Sequence, residues 1–253
     1  MTTGENLKAS RWPGLVFALQ FLTILPVKTD QRFDARAALP LFPICGLLIG
    51  AALVAVDAAA SMLWPRPVVA VVDLLLLALI SGALHLDGLA DSADGLYGGR
   101  DSAQALRIMK DSRVGAMGVV ALICCLAVKW AGLAHLGEHS SLWLFLVPAY
   151  ARGSVLIAAR LMPYGRDDRG LGSAFFQSPT RPSDFWGLGL ALLLALTAGW
   201  RAMGVILVYA LMVFSILALY RRKTGCLTGD MLGAMIEVTE AALFLIAASR
   251  WVG

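Results

Sequence analysis

Long apolar runs separated by short polar connections dominate this chain. Seven of the runs approach or exceed the roughly 20 residues that a membrane-spanning helix needs. They cover residues 37–63, 68–86, 115–136, 141–160, 184–200, 202–220 and 231–251. The run at 12–27 is shorter and contains Pro13 and Pro26, which indicates a helix at the membrane interface. The pattern therefore predicts an all-α, polytopic integral membrane helix bundle with about seven transmembrane helices plus a short N-terminal interfacial helix.

The composition supports a membrane location for the whole chain. Of its 253 residues, 59% are apolar and only 15% are charged, and the mean hydropathy is +0.76. Soluble domains carry about 25% charged residues. The sequence shows no internal repeat, low-complexity tract or linker, so we expect residues 1–253 to form a single transmembrane helical domain.

Basic residues are distributed unevenly over the predicted connections. With seven spans, 16 of the 21 Lys and Arg residues fall on one side of the membrane and 3 on the other. The positive-inside rule then places the connections 28–36, 95–114, 160–183 and 221–230 in the cytoplasm. Because these residues are spread among short loops, they indicate membrane topology rather than a nucleic-acid partner.

Three aspartates follow the second apolar run at a spacing of four and then three residues. At about 100° per residue, Asp87, Asp91 and Asp94 fall within roughly 60° of one helical face. Like charges at that spacing repel one another, and an ionised aspartate inside a membrane costs on the order of 3 kcal/mol. Carboxylate oxygens on one face suit Mg²⁺ or Mn²⁺ together with substrate phosphates. The stripe therefore predicts a metal-phosphate site, although the solvated end of a helix is the alternative.

The connection after the stripe is basic. Arg107, Lys110 and Arg113 recur every three residues and would share a broad face if the segment were helical. Cations there could neutralise a metal-bound phosphate. Gly115 and Gly118 could let backbone amides approach an anion at the start of the next helix. The alternative is a loop that holds lipid headgroups.

Other polar residues extend this candidate site. The glycine-rich connection that contains Tyr164 and Arg166 resembles a binding loop, although a solvated connector would have the same composition. Arg152 lies inside the fourth span, where it should face a carboxylate or a substrate phosphate. Asp230 and Glu237 lie seven residues apart on one face of the last span and could complete the metal shell, although Asp230 could simply cap that helix.

Three further polar residues are predicted to have other roles. His85 is about 160° away from Asp87 on the helical wheel, which indicates packing or an interfacial position. Asp57 and Asp73 lie near the opposite membrane face and should meet water or Arg66.

Three segments together resemble one enzyme family. His85–Leu96, Arg107–Gly115 and Thr228–Ala234 look like those of the cobalamin synthase family, also called adenosylcobinamide-GDP ribazoletransferase. The resemblance implies a Mg²⁺-dependent, multi-pass enzyme of the bacterial inner membrane, active on its cytoplasmic side and in contact with membrane lipid. It implies transfer from adenosylcobinamide-GDP to α-ribazole or α-ribazole 5′-phosphate, with release of GMP, late in vitamin B12 biosynthesis. A homo-oligomer is possible.

Together, the residues and the resemblance suggest a role for each candidate. The metal ligands would be Asp87, Asp91, Asp94 and Asp230. The catalytic group would comprise Asp94, Lys110, Asp111 and Arg113, with either Asp94 or Asp111 as the base. The substrate-binding residues would be Arg107, Arg152, Tyr164, Arg166 and Glu237.

Three alternatives fit parts of the pattern. A membrane prenyltransferase also binds a diphosphate through Mg²⁺, but it typically needs a second aspartate cluster. A CDP-alcohol phosphotransferase performs related chemistry, but its Asp-x-x-Asp-Gly-x-x-Ala-Arg opening is absent. A cation transporter would carry acids near the bilayer midplane on several spans, whereas the main cluster here lies at a helix end.

Overall fold

The structure, a computed structural model, describes residues 12–27, 34–137, 139–165, 171–177 and 179–250. Eleven α-helices occur within these ranges, and no β-strand does. They are α1 Trp12–Leu22, α2 Ala35–Ala38, α3 Phe42–Ser61, α4 Arg66–Ile80, α5 Leu84–Gly98, α6 Ser102–Ile108, α7 Ala116–Ala134, α8 Ser140–Leu161, α9 Trp186–Ala195, α10 Arg201–Lys223 and α11 Gly229–Ala247. The predicted all-α class is confirmed.

Several of these helices can cross a membrane. In the described part of the chain, four segments are long and apolar enough: Ala35–Ser61, α7, α8 and α10. The pair α4 and α5 makes a fifth if it counts as one broken span. This confirms a helical membrane bundle but not the number seven. Helix α9 is only 10 residues long, and α11 carries three acidic residues.

Helix α8 forms the centre of the bundle, with α3 on one side and α11 on another. A Cβ atom at Gly46 of α3 would overlap the carbonyl oxygen of Pro148, and one at Gly50 would overlap that of Phe145. Only glycine permits this approach of two helix backbones. The two glycines are four residues apart, which is the small-xxx-small spacing that permits such close contact between helices.

The expectation of one continuous span from residue 68 to residue 86 is wrong. Helices α4 and α5 meet at 86°, because Gly82 and Ala83 adopt left-handed backbone angles, with φ of 60° and 58°. The Ala83 amide donates to the Ala78 carbonyl at 2.8 Å, and the Ile24 amide donates to that of Ile80 at 2.9 Å. These two hydrogen bonds satisfy carbonyl groups in the last turn of α4, so α4 ends there. The three aspartates lie on a separate helix, α5.

Gly82 gives a test of this break. We expect Gly82→Ala to lower the free energy of unfolding by about 1–2 kcal/mol, because the new methyl group would be strained at positive φ and would lie 2.5 Å from the Ile24 side chain. The measurement is thermal unfolding of the detergent-solubilised protein. Gly189→Ala is the matched control, since a Cβ there meets nothing within 4 Å. Equal stability of the two variants would contradict the interpretation.

At one end of α3 and α4, Arg66 joins two aspartates. Its guanidinium pairs with Asp57 and lies 3.5 Å from Asp73. It also donates to the Leu133 carbonyl at the end of α7, at 2.9 Å from Nε. Arg66, one of the two expected partners, therefore meets both aspartates.

Candidate active site

The three aspartates of α5 differ in burial along the helix. Asp87 is exposed, Asp91 is half-buried and Asp94 is buried. The Asp94 carboxylate accepts hydrogen bonds from the Gly115 amide at 2.6 Å and from the Gly118 amide at 2.8 Å. The amides that were expected to bind an anion at the start of α7 thus bind the protein's own carboxylate. Through these two hydrogen bonds, Asp94 holds α5 against the start of α7.

Helix α11 packs against α5 through two glycines. A Cβ at Gly88 would lie 2.7 Å from the Asp230 carbonyl oxygen, and one at Gly233 would lie 3.1 Å from the Cα of His85. The N-terminal cap of α11 is Thr228, whose hydroxyl accepts from the Met231 amide at 3.2 Å. The first turn of α11, with Asp230, therefore lies beside the segment of α5 that carries Asp87 and Asp91.

The Tyr164 connection is held against the start of α11. The Gly165 amide donates to the Leu227 carbonyl, and the Leu227 amide donates to the Pro163 carbonyl, both at 2.9 Å. The Tyr164 hydroxyl oxygen lies 4.0 Å from where a Cβ of Gly229 would be. Tyr164 is thus a neighbour of the helix start that carries Asp230. Arg166, its expected companion in substrate binding, lies outside the described residues.

The basic residues do not share one helical face, because the condition that the whole segment is helical is not met. Helix α6 ends at Ile108, so Arg107 is helical, whereas Lys110 lies in a turn and Arg113 lies in a bend. All three residues are exposed. They are on the surface of the segment that runs from α6 to the Asp94-bound start of α7.

One ion pair shapes this basic loop. Arg113 donates from Nη2 to Asp111 Oδ2 at 2.6 Å and from Nε to Asp111 Oδ1 at 2.9 Å. These hydrogen bonds, with a further one from the Arg113 amide, lower the pKa of Asp111 to about 2. A carboxylate with so low a pKa is a weak proton acceptor.

Glu237 and Arg152 belong to a buried ion network rather than to the group of acids where α5 meets the first turn of α11. Lys129 Nζ lies 2.5 Å from Glu237 Oε2 and 2.8 Å from Glu240 Oε2, and Arg152 pairs with Glu240. Two cations and two anions thus compensate one another between α7, α8 and α11. Their expected contacts with metal or substrate do not fit this geometry, although Arg152 does face a carboxylate. Lys129 and Glu240 had no predicted role, although their charges lie inside apolar runs and charges inside spans need partners.

The acidic side chains that the structure describes do not form a complete metal-binding site by themselves. Among the described residues, no three His, Cys, Asp or Glu side chains could jointly hold an ion, so the expected set of Asp87, Asp91, Asp94 and Asp230 is not assembled by the protein alone. Mg²⁺ usually binds one or two carboxylates and completes its shell with water and substrate phosphates. The exposed and half-buried acids, Asp87 and Asp91, fit that kind of site.

Comparison with known proteins identifies the family. The cobalamin-5-phosphate synthase family model matches residues 14–248. Proteins named adenosylcobinamide-GDP ribazoletransferase are similar over nearly their whole length. The one from Chlorobaculum tepidum is 40% identical over 93% of this chain and 94% of its own. The one from Brevibacillus brevis is 35% identical over 92% and 97%, and that from Pseudomonas syringae is 38% identical over 91% and 97%.

No solved structure matches the chain. The family match covers the three segments that carried the resemblance in the sequence, namely His85–Leu96, Arg107–Gly115 and Thr228–Ala234. The chain therefore belongs to the cobalamin-5-phosphate synthase family and is a transferase of cobalamin biosynthesis.

Proposed function

We propose that this enzyme transfers the adenosylcobinamide phosphate group from adenosylcobinamide-GDP to α-ribazole or α-ribazole 5′-phosphate, releasing GMP. The relatives named for this reaction support the proposal. The observation that carries it is the packing of the Asp230 backbone against Gly88. This packing sets the first turn of α11 beside the part of α5 that carries Asp87 and Asp91, which is the proposed phosphoryl-transfer cleft. The reaction takes place at the cytoplasmic face of the inner membrane, where the basic loops are expected.

The transfer forms one phosphorus–oxygen bond and breaks another. A ribazole hydroxyl attacks the phosphorus that bears the cobinamide arm and releases its proton to solvent. The bond from this phosphorus to the bridging diphosphate oxygen breaks, and GMP leaves. Negative charge develops on the departing GMP. Arg107, Lys110 and Arg113 are exposed cations in the segment that runs from α6 to the start of α7, and they would neutralise that charge.

Mg²⁺ would be held by two of the acids, Asp87 and Asp91, and by substrate phosphates that complete its shell. When bound, the ion supplies Lewis-acid stabilisation of the phosphoryl oxygens. Asp94 keeps α5 and the start of α7 together through its two amide hydrogen bonds. Tyr164 contacts the substrate at the edge formed by the start of α11.

Asp111 is assigned to positioning Arg113 rather than to proton transfer. A carboxylate base must be deprotonated, so it would make the rate rise as the pH rises through its pKa. With a pKa of about 2, that rise lies far below neutral pH. We expect Asp111→Asn to lower kcat/KM about tenfold, by loosening Arg113, while the pH–rate profile near neutrality keeps its shape. Loss of a limb of that profile in the variant would show instead that Asp111 is the base.

Product analysis tests the proposed function. Purified protein is incubated with adenosylcobinamide-GDP, α-ribazole and Mg²⁺, and the products are separated by chromatography. We expect GMP and adenosylcobalamin in equal amounts. Release of inorganic diphosphate from an isoprenoid diphosphate would favour a prenyltransferase, and cation uptake without phosphoryl transfer would favour a transporter.

A further inference from the structure

A cavity of about 300 Å³ lies between α1, α3, α5, α8 and α11. Its walls are mainly apolar and include Phe21, Phe42, Val155 and Ile236. Tyr164 and Asp230 line the cavity at the end where α11 begins. The cavity therefore connects the apolar interior of the bundle with the proposed phosphoryl-transfer cleft.

One of the residues that line this cavity, His85, carries a buried polar atom without a partner among the residues that the structure describes. His85 is 5% exposed, and its Nδ1 is buried and makes no hydrogen bond with any described residue. Buried polar groups in proteins are nearly always hydrogen-bonded. An unpartnered imidazole nitrogen in a mostly apolar wall therefore indicates a ligand with a complementary hydrogen-bonding atom.

The size and polarity of the cavity discriminate between the proposed substrates. Small-molecule sites span about 300–1,000 Å³, so this cavity suits a fused aromatic ring and is too small for a corrin macrocycle. Guanine carries several donors and acceptors, which would remain unsatisfied against these walls. The dimethylbenzimidazole ring of ribazole is apolar except for one free nitrogen, which can accept a single hydrogen bond.

We propose that this cavity binds the aromatic base of ribazole, with His85 donating from Nδ1 to the free ring nitrogen. The inference rests on the proposed function and names the subsite of its acceptor substrate. The rings of Phe21 and Phe42, stacked with centroids 5.7 Å apart, supply the aromatic wall. The ribose then extends towards Asp230 and the cleft.

Two substitutions test this subsite through separate Michaelis constants for the two substrates. Val155→Phe fills the cavity, and we expect it to raise KM for α-ribazole at least about tenfold. His85→Leu removes the donor and should raise the same KM about five- to tenfold, with partial recovery in His85→Asn. KM for adenosylcobinamide-GDP should change less than about twofold. Leu245→Phe, in a different apolar cleft, is the matched control.

Direct binding separates failure of the subsite from failure of the proposed function. We expect α-ribazole to bind the purified wild-type protein in equilibrium dialysis, to be displaced by dimethylbenzimidazole but not by GMP, and to bind Val155→Phe weakly. Equal binding by wild type and Val155→Phe, or a rise only in KM for adenosylcobinamide-GDP, would overturn the subsite even if wild-type protein releases GMP. If wild-type protein releases no GMP, the proposed function fails, and α-ribazole binding then decides the subsite alone.

Discussion

Asp91→Asn is expected to lower the rate of GMP release at least about a hundredfold without preventing folding in the membrane. Asp91 is the half-buried acid of α5, between exposed Asp87 and buried Asp94. It lies one turn after Gly88, where the backbone of Asp230 approaches. A neutral amide there would bind Mg²⁺ and organise the diphosphate much less well than a carboxylate. The measurement is GMP release under saturating substrates.

The matched control for this charge removal is Asp34→Asn. Asp34 is exposed and accepts hydrogen bonds from the Arg36 and Ala37 amides at the start of α2, and an asparagine oxygen can accept them too. We expect this variant to retain wild-type turnover. Normal GMP release by Asp91→Asn at saturating Mg²⁺ would exclude the stripe from the mechanism.

The second large effect concerns stability rather than chemistry. Glu240 is 1% exposed and neutralises both Arg152 and Lys129. Glu240→Leu would leave two cations in the interior with only Glu237 opposite them. Removing one partner from a buried ion pair typically costs about 3–5 kcal/mol, so we expect a markedly lower thermal midpoint in detergent and poor recovery of folded protein.

A charge-balanced double variant is the control for Glu240→Leu. Lys129→Met combined with Glu237→Leu removes one cation and one anion together and keeps the pair of Arg152 with Glu240. Replacing a buried pair by apolar residues of similar size is often nearly neutral. We therefore expect the double variant to be more stable than Glu240→Leu. The opposite order would show that the network is not held by charge compensation.

The sequence predicted several features because local spacing determines them. The helical class follows from apolar runs of membrane-spanning length, and the spacing of Gly46 and Gly50 is one that permits a close helix contact, although it does not indicate the partner helix. The proximity of Asp230 to α5 was inferred because acidic side chains inside a membrane usually mark a functional site. In each case a short-range pattern or the energetic cost of a buried charge was sufficient.

Other features depended on tertiary contacts that spacing does not encode. The break between α4 and α5 needs Ala83 at positive φ, which is uncommon for residues other than glycine, and an amide from Ile24. The amides of Gly115 and Gly118 were assigned to an unspecified anion, and Asp94 was not recognised as that anion. The ion pair between Lys129 and Glu237 forms only because α7 and α11 are rotated so that these two side chains face each other.

The most direct test is Mn²⁺ binding, followed by electron paramagnetic resonance, with and without adenosylcobinamide-GDP. Because the described acids form no cage by themselves, we expect at least about tenfold tighter Mn²⁺ binding when the diphosphate is present. We expect Asp91→Asn to abolish this gain and Asp34→Asn to preserve it. Equally tight Mn²⁺ binding without the diphosphate, or an undiminished gain in Asp91→Asn, would contradict a substrate-completed metal site on α5.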